Sequence, residues 1–233
     1  MAGARKVCVL IPAYREESRV GAVVAEALSF CPDVVVIDDG SPDGTAEAAR
    51  AAGARVLCLV RNAGKGEALR KGFRHAAENG FELAITMDAD GRHAPSDIPA
   101  FLAAYERTKA RVLVGNRMGD PRGMPPLRRF ANRFASGLLS GLMRRHVPDT
   151  QCGFRLYERS VFPVEELAGA ANRVAAESES LVRLALKGVA IGSVAVQSID
   201  GPARRAIHPV RDTARFLRTY FRLRRLARAR SRP

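Results

Sequence analysis

Short, almost wholly apolar runs punctuate the first half of the chain: Val7–Ile11, Val34–Ile37, Arg55–Leu59, Leu83–Met87 and Val112–Gly115. Between them, near 18–30, 43–52, 64–79 and 97–108, apolar residues recur at helical spacing, which predicts amphipathic helices. Runs that are apolar at nearly every position suit strands covered on both faces, so the alternation predicts a mostly parallel sheet flanked by helices, an α/β fold. Such sheets bind ligands beyond the carboxyl ends of their strands. The polar clusters fall at those ends: Pro12-Ala13-Tyr14-Arg15-Glu16, Asp38-Asp39-Gly40-Ser41, Arg61-Asn62, Asp88-Ala89-Asp90 and Asn116-Arg117.

Beyond Asn116 the pattern changes. A Gly/Pro-rich link over 119–126 precedes a basic helix near 127–144 and a turn-rich Asp149-Thr150-Gln151-Cys152-Gly153-Phe154-Arg155. A helix near 176–187, an apolar strand over 189–196 and a last helix from about 209 to 229 follow, with no internal repeat and no interdomain linker.

Charge sharpens this picture. The 233 residues carry 38 Lys+Arg against 24 Asp+Glu, a net of +14, which implies an anionic partner: nucleic acid, a phosphorylated substrate or a lipid surface. Residues 201–233 hold eleven Arg against Asp212 alone, a net of +10 that leaves +4 for the first 200 residues. Cys8, Cys31, Cys58 and Cys152 have no C-x-x-C spacing and mostly sit in apolar runs, as thiols do in a reducing compartment, so neither a disulfide nor a zinc site is expected. No run approaches the roughly 18 apolar residues of a membrane span, and the N-terminus lacks a signal-peptide pattern. A cytoplasmic location is expected.

Asp88-Ala89-Asp90 is the sharpest local signal. Two carboxylates at i and i+2 beyond a strand can turn toward one hard divalent cation shared with substrate phosphates; equally, they can form a solvated turn that caps a helix. Asp38-Asp39 has the same two readings, a helix cap or acceptors for a base or ribose.

Ile11-Pro12-Ala13-Tyr14-Arg15-Glu16-Glu17, Val36-Ile37-Asp38-Asp39-Gly40-Ser41, Arg61-Asn62-Ala63-Gly64-Lys65-Gly66 and Met87-Asp88-Ala89-Asp90-Gly91 resemble, in order and spacing, the motifs of inverting family 2 glycosyltransferases with the GT-A fold. Val114-Gly115-Asn116-Arg117 and the 149–155 segment are similar to the branch holding dolichol-phosphate mannosyltransferase and bacterial polyprenyl-phosphate glycosyltransferases. The resemblance implies one GT-A domain over 1–208, with a nucleotide-sugar half (1–116) and an acceptor half (117–208), followed by a basic amphipathic helix over 209–233. It also implies that Pro12, Tyr14, Glu16, Ile37 and Asp39 hold the nucleoside of a GDP- or UDP-sugar, such as GDP-mannose or a UDP-hexose, with Lys65, Asp88 and Ala89 beside it. Asp88 and Asp90 would bind Mg²⁺ or Mn²⁺, and Asp90 would act in catalysis. Where the family often carries Gln in Asp-x-Asp-Gly-Gln-His, this chain has Arg92, which has no lone pair for a metal. Either the ion has one protein ligand fewer or Arg92 meets the diphosphate directly; His93 is a ligand or an ordinary polar residue.

The acceptor follows from charge and chemistry together. A hydroxyl acceptor needs a base to remove its proton, whereas a phosphate monoester is already ionised near neutral pH. Residues 117–159 carry nine Arg against Asp120, Asp149 and Glu158, and guanidinium matches phosphate through paired hydrogen bonds. The resemblance points the same way: it implies Arg117 and an arginine of the 128–133 stretch, Arg129, together with Arg155, at a lipid-phosphate acceptor, and places Arg204 and Arg205, near His208, where relatives carry a basic loop that closes over the phosphates. Arg128, Arg129 and Arg133 can alternatively form the solvated face of a helix. The alternative acceptor is a hydroxyl, with Glu179 as base in Ala176-Glu177-Ser178-Glu179-Ser180-Leu181, which resembles the branch's Phe-Glu-x-Glu-x-Leu; Glu179 is otherwise a carboxylate favoured at a helix start. The last helix alternates Phe, Tyr and Leu with Arg and reads either as an anchor on an anionic membrane, at the inner face, or as a docked terminal helix. A nucleic-acid-binding protein is the remote alternative, disfavoured by the acidic rim and by the absence of recognition motifs.

Overall fold

The computed structural model describes residues 5–119, 124–168, 176–199 and 209–230, apart from the side chains of 209–212 and 230. Strands β1 (Val7–Ala13), β2 (Val34–Asp38), β4 (Leu83–Thr86) and β5 (Val112–Asn116) are buried almost throughout, as expected of apolar runs with helices on both faces. β3 (Arg55–Cys58) forms the edge and is half exposed. The seven-stranded sheet has the order β3-β2-β1-β4-β6-β5-β7, with β7 at Ile191–Ala195.

β6 (Arg155–Glu158) lies antiparallel between β4 and β5, pairing Thr86 with Arg155 on one side and Val114 with Arg155 on the other. The sequence reading placed only a turn there. Arg-Leu-Tyr-Glu has a charged residue at each end and no apolar run, so no pattern marks it as a central strand. Its Arg155 is nonetheless buried, because neighbouring oxygens satisfy the guanidinium. The other strands and the long helices start and end within two residues of the expected bounds.

The helices form two groups. α3 (Lys65–Glu78) lies over β1 and β2 and meets α6 (Val164–Ala168) and α7 (Ala176–Leu186), which lead to α5 (Pro126–Met143) and α8 (Pro209–Arg230). α1 (Glu17–Leu28) packs on α2 (Thr45–Ala51) and meets the 3-10 turn before α4 (Ile98–Thr108), which lies over β5 and β7. Phe73, Phe101, Phe154 and Tyr157 fill the core; Phe73 meets Tyr157 edge-on, with centroids 5.1 Å apart, and Phe101 lies 4.6 Å from Phe154. The carboxyl ends of β1, β2 and β4 open on the same rim, which carries the polar clusters.

Candidate active site

At the β2 end, Asp38 accepts the Ser41 amide at 3.3 Å, and Gly40 follows with φ +66°. A side chain at Gly40 would stand 2.6 Å from the Arg61 backbone, so glycine lets the loop after β3 close against this turn. Asp39 completes the closure. Its Oδ1 accepts Ala63 N–H at 2.7 Å, and its Oδ2 accepts Gly64 N–H at 2.8 Å and the Asn62 side chain at 3.0 Å. This carboxylate, expected on the nucleoside, organises the turn that starts α3.

Beside it, Arg15 takes a left-handed φ of 57°, held by its N–H to Ser41 Oγ at 3.0 Å, and its guanidinium lies 5.4 Å from the exposed ring of Tyr14. Glu16 N–H donates to Thr45 Oγ1 at 2.9 Å. Pro12 and Ile37 are register partners on adjacent strands, and both are buried, as is Ala89.

At the start of α3, Lys65 reaches across to β4. Its Nζ bonds Asp88 Oδ1 and, at 2.5 Å, Glu177 Oε2 from the first turn of α7. Burial alone would lower the ammonium's pKa, but the two carboxylates outweigh it and hold Lys65 above the usual lysine range. Burial would likewise raise Asp88, yet Lys65 and His93 keep it well below the usual carboxylate range. His93 is buried, with Nε2 3.3 Å from Asp88 Oδ2 and Nδ1 without a hydrogen-bond partner. Gly153 faces this cluster: a Cβ there would meet Lys65 Nζ at 2.9 Å and Asp88 Oδ1 at 3.0 Å, so the missing side chain lets the lysine and the carboxylate approach this backbone closely. Thr86 Oγ1 pins that glycine through its carbonyl at 2.8 Å. Asp90 accepts the Arg92 amide at 3.1 Å, and its Oδ2 is 3.5 Å from Arg92 Nε.

Among the described residues no three His, Cys, Asp or Glu side chains gather into a metal cage. The donor set is the two carboxylates Asp88 and Asp90, with the buried His93 beside Asp88 and its Nδ1 unpartnered. It fits a hard divalent ion whose remaining ligands come from phosphates.

The positive side of the site comes from β5 and α5. Arg117, buried, donates Nε to Asp149 Oδ2 at 2.8 Å and Nη2 to Asp149 Oδ1 at 3.1 Å. Burial works against its charge, but Cys152, Asp149 and the nearby Asp88 together raise its pKa. Arg128 is pushed down by burial and then by the fields of Arg92 and Arg117, with Asp90 and Asp149 opposing.

Several sequence expectations are corrected here. Arg155 does not face an acceptor: it donates to the carbonyls of Cys152 at 2.7 Å, Thr150 at 2.8 Å and Glu177 at 2.6 Å, and to Tyr157 Oη at 3.3 Å, inside the core. It positions the 149–154 loop and α7. Glu179, expected as the base, is fully buried. Arg183 holds its Oε1 at 2.8 Å and Arg222 holds its Oε2, so neither oxygen is available to a substrate proton. Arg129 donates Nη2 to the Met118 carbonyl at 3.0 Å, while its buried Nε has no hydrogen-bond partner. Arg204, Arg205 and His208 lie outside the described residues. Glu177, Arg128 and Asp149 were not among the selected residues, although each lies in a segment that the sequence had marked.

Comparison with known proteins identifies the family and the fold. The family description Glycosyl transferase family 2 matches residues 8–164. The polyprenol monophosphomannose synthase of Mycolicibacterium smegmatis is 33% identical over 175 residues, which span 70% of this chain and 66% of that protein. The UDP-N-acetylglucosamine–dolichyl-phosphate N-acetylglucosaminyltransferase of Methanococcus voltae is 29% identical over 217 residues, spanning 83% of this chain and 85% of its own. In fold, the chain is similar to glucosyl-3-phosphoglycerate synthase of Mycobacterium tuberculosis, crystallised with Mn²⁺, UDP and glucosyl-3-phosphoglycerate, at a TM-score of 0.72 and 20% identity over 96% of this chain and 80% of that one. The α/β architecture with its mostly parallel sheet is the GT-A fold. The chain belongs to glycosyltransferase family 2.

Proposed function

We propose that this enzyme transfers a sugar, with inversion, from a nucleotide sugar to the phosphate of a polyprenyl- or dolichyl-type lipid. The observation that carries the acceptor class is the combination of Arg117 and Arg128 beside Asp88 and Asp90 with a Glu179 whose two oxygens are tied to arginines. A phosphate monoester brings an ionised oxygen and needs no base. It needs positive charge, which Arg117 and Arg128 supply, while Arg92 and Lys65 face the leaving diphosphate. Asp88 and Asp90 would hold a divalent ion, which would supply Lewis-acid stabilisation for the charge on that diphosphate. The Mycolicibacterium relative, named for a polyprenol monophosphomannose product, and the Methanococcus relative, named for transfer to dolichyl phosphate, support the same acceptor class, and the Mn²⁺–UDP complex of the Mycobacterium structure supports a metal-bound diphosphate.

The surface suits a lipid substrate. On α5, Leu127, Phe130 and Phe134, 78%, 69% and 59% exposed, recur at helical spacing on the helix that also delivers Arg128. On α8, Leu223 and Thr219 are buried while Phe221 is 51% exposed, and Arg218, Arg224, Arg225 and Arg228 face solvent. α8 packs on both α5 and α7. The helix therefore docks on the domain with one side and offers Phe, Leu and Arg on the other, a combination that suits an anionic membrane interface. No helix among the described residues is long and apolar enough to cross a membrane.

A hydroxyl acceptor is the second reading. One observation favours it: Glu177 Oε1 is buried with no hydrogen-bond partner, which would make Glu177, rather than Glu179, the base. The test is to screen GDP-mannose, UDP-glucose, UDP-galactose and UDP-GlcNAc with Mn²⁺ or Mg²⁺ by thermal shift, and then to incubate the best donor with polyprenyl phosphate. A product with the mass of a polyprenyl-phosphate hexoside is expected. Donor binding with no such product argues for the second reading.

A further inference from the structure

Glu179 joins two parts of the molecule that the site needs in a fixed relation. Arg183, one turn along α7, donates to its Oε1 through Nε at 3.1 Å and Nη2 at 2.8 Å, and Arg222 of α8 donates to its Oε2. A fully buried carboxylate stays charged only with partners, so these contacts tie α8 to α7. In the same helical turn, Glu177 holds Lys65, which also binds Asp88. That turn is fixed on its other sides too. Arg155 holds the Glu177 carbonyl at 2.6 Å, Ser178 Oγ donates to the Thr150 carbonyl at 3.0 Å, and a Cβ on Gly66 would stand only 2.7 Å from Ala176 Cβ. A shift at Glu179 therefore reaches Glu177, and through it Lys65.

We propose that Arg222 is a positioning residue for the phosphate-handling end of the site: by holding Glu179, α8 fixes the first turn of α7 and so sets where Lys65 stands relative to Asp88. The inference rests on reading Lys65 and Asp88 as diphosphate-handling groups. It links the helix that carries Phe221 and the exposed arginines to the lysine at the β4 end through Arg222, Glu179 and Glu177. In this arrangement, loosening α8 disturbs nucleotide handling without touching the nucleotide.

The test is a double-mutant cycle in the full chain with Arg222→Ala, Glu177→Gln and the double variant. Calorimetry measures the affinity for UDP or GDP, whichever binds, with and without Mn²⁺, and steady-state kinetics gives donor KM and kcat. Each single variant is expected to lower affinity about tenfold, and the double variant to fall no more than about twofold below the weaker single, because both act through Lys65. Arg222→Lys, which keeps the charge, is expected to recover most of the loss. Should Arg222→Ala fail to fold, Arg222→Met, which keeps the stem's packing, takes its place in the cycle. Losses that multiply to about a hundredfold would overturn the proposal, as would an Arg222 variant that melts earlier yet binds and turns over the donor normally. A wild-type chain that makes no lipid product but still shows the non-additive affinities removes the acceptor reading and leaves this inference standing. Lipid product with multiplying losses does the reverse.

Discussion

The loops that follow β1, β2 and β4 and the elements that follow β5 build the two sides of one site by different means. On the first side, function tracks position: Asp39, Asp88 and Asp90 each stand directly beyond a strand, and their partners are nearby loop amides or the lysine that opens α3. On the second side, arginines that look alike in sequence separate by tertiary partner. Arg117 pairs with Asp149, Arg128 feels the fields of Asp90 and Asp149, Arg155 braces three carbonyls, and Arg183 and Arg222 neutralise Glu179. Charge on a strand-end loop thus points to chemistry, whereas charge on a helix or an inserted strand serves chemistry or architecture according to what it touches.

Asp90→Ala gives the largest expected effect. Turnover should fall about 10³-fold while the melting temperature stays nearly unchanged, because the residue sits on a rim loop and not in the core. A large drop in melting temperature would move Asp90 to the architectural class.

Arg128 and Arg155 divide the second side. Arg128→Ala should lower turnover about 10²-fold with stability within about 0.5 kcal/mol of wild type. Arg155→Met removes a donor from each of three carbonyls, of which Thr150 keeps Ser178 and Glu177 keeps Ser180, and empties a buried charged site; it should cost about 3 kcal/mol in urea unfolding. Exchanged outcomes would break the comparison.

The surface of α5 and α8 comes next. Phe130→Ser, Phe134→Ser and Phe221→Ser combined should reduce co-sedimentation with vesicles containing anionic phospholipid about tenfold and leave unfolding unchanged, since all three rings are exposed. Unaltered co-sedimentation would confine the lipid contact to the arginines.

The smallest effect is chemical. Burial pushes the Cys152 thiol up to about 11, and it raises Cys8 and Cys31 as well, so these three stay protonated and shielded at pH 8. Alkylation of the native protein at that pH should modify Cys58 alone, with all four cysteines reacting in denaturant. Fast labelling of Cys152 would mean that the loop between Arg117 and Arg155 opens.

What the sequence disclosed follows the same division. The parallel strands were legible because burial on both faces leaves an unbroken apolar run, and the Asp88–Asp90 pair because strand-end loops keep functional residues adjacent in the chain. β6 was not, because its ladder partners and the acceptors for Arg155 come from distant segments. Glu177 and Glu179 show the limit most plainly. Two carboxylates in one helical turn point to different sides, and nothing in the sequence says which side meets Lys65 and which meets α8. Arg128 and Arg129 pose the same problem: adjacent and alike in sequence, only the second has the Met118 carbonyl as a partner.

The most direct test of an arginine-framed site without a free base is to offer the same donor and metal with two acceptors that differ only at the head: a polyprenyl phosphate and the corresponding polyprenol. Sugar should appear on the phosphate and not on the alcohol. Transfer to the alcohol at a comparable rate, abolished by Glu177→Gln, would contradict it.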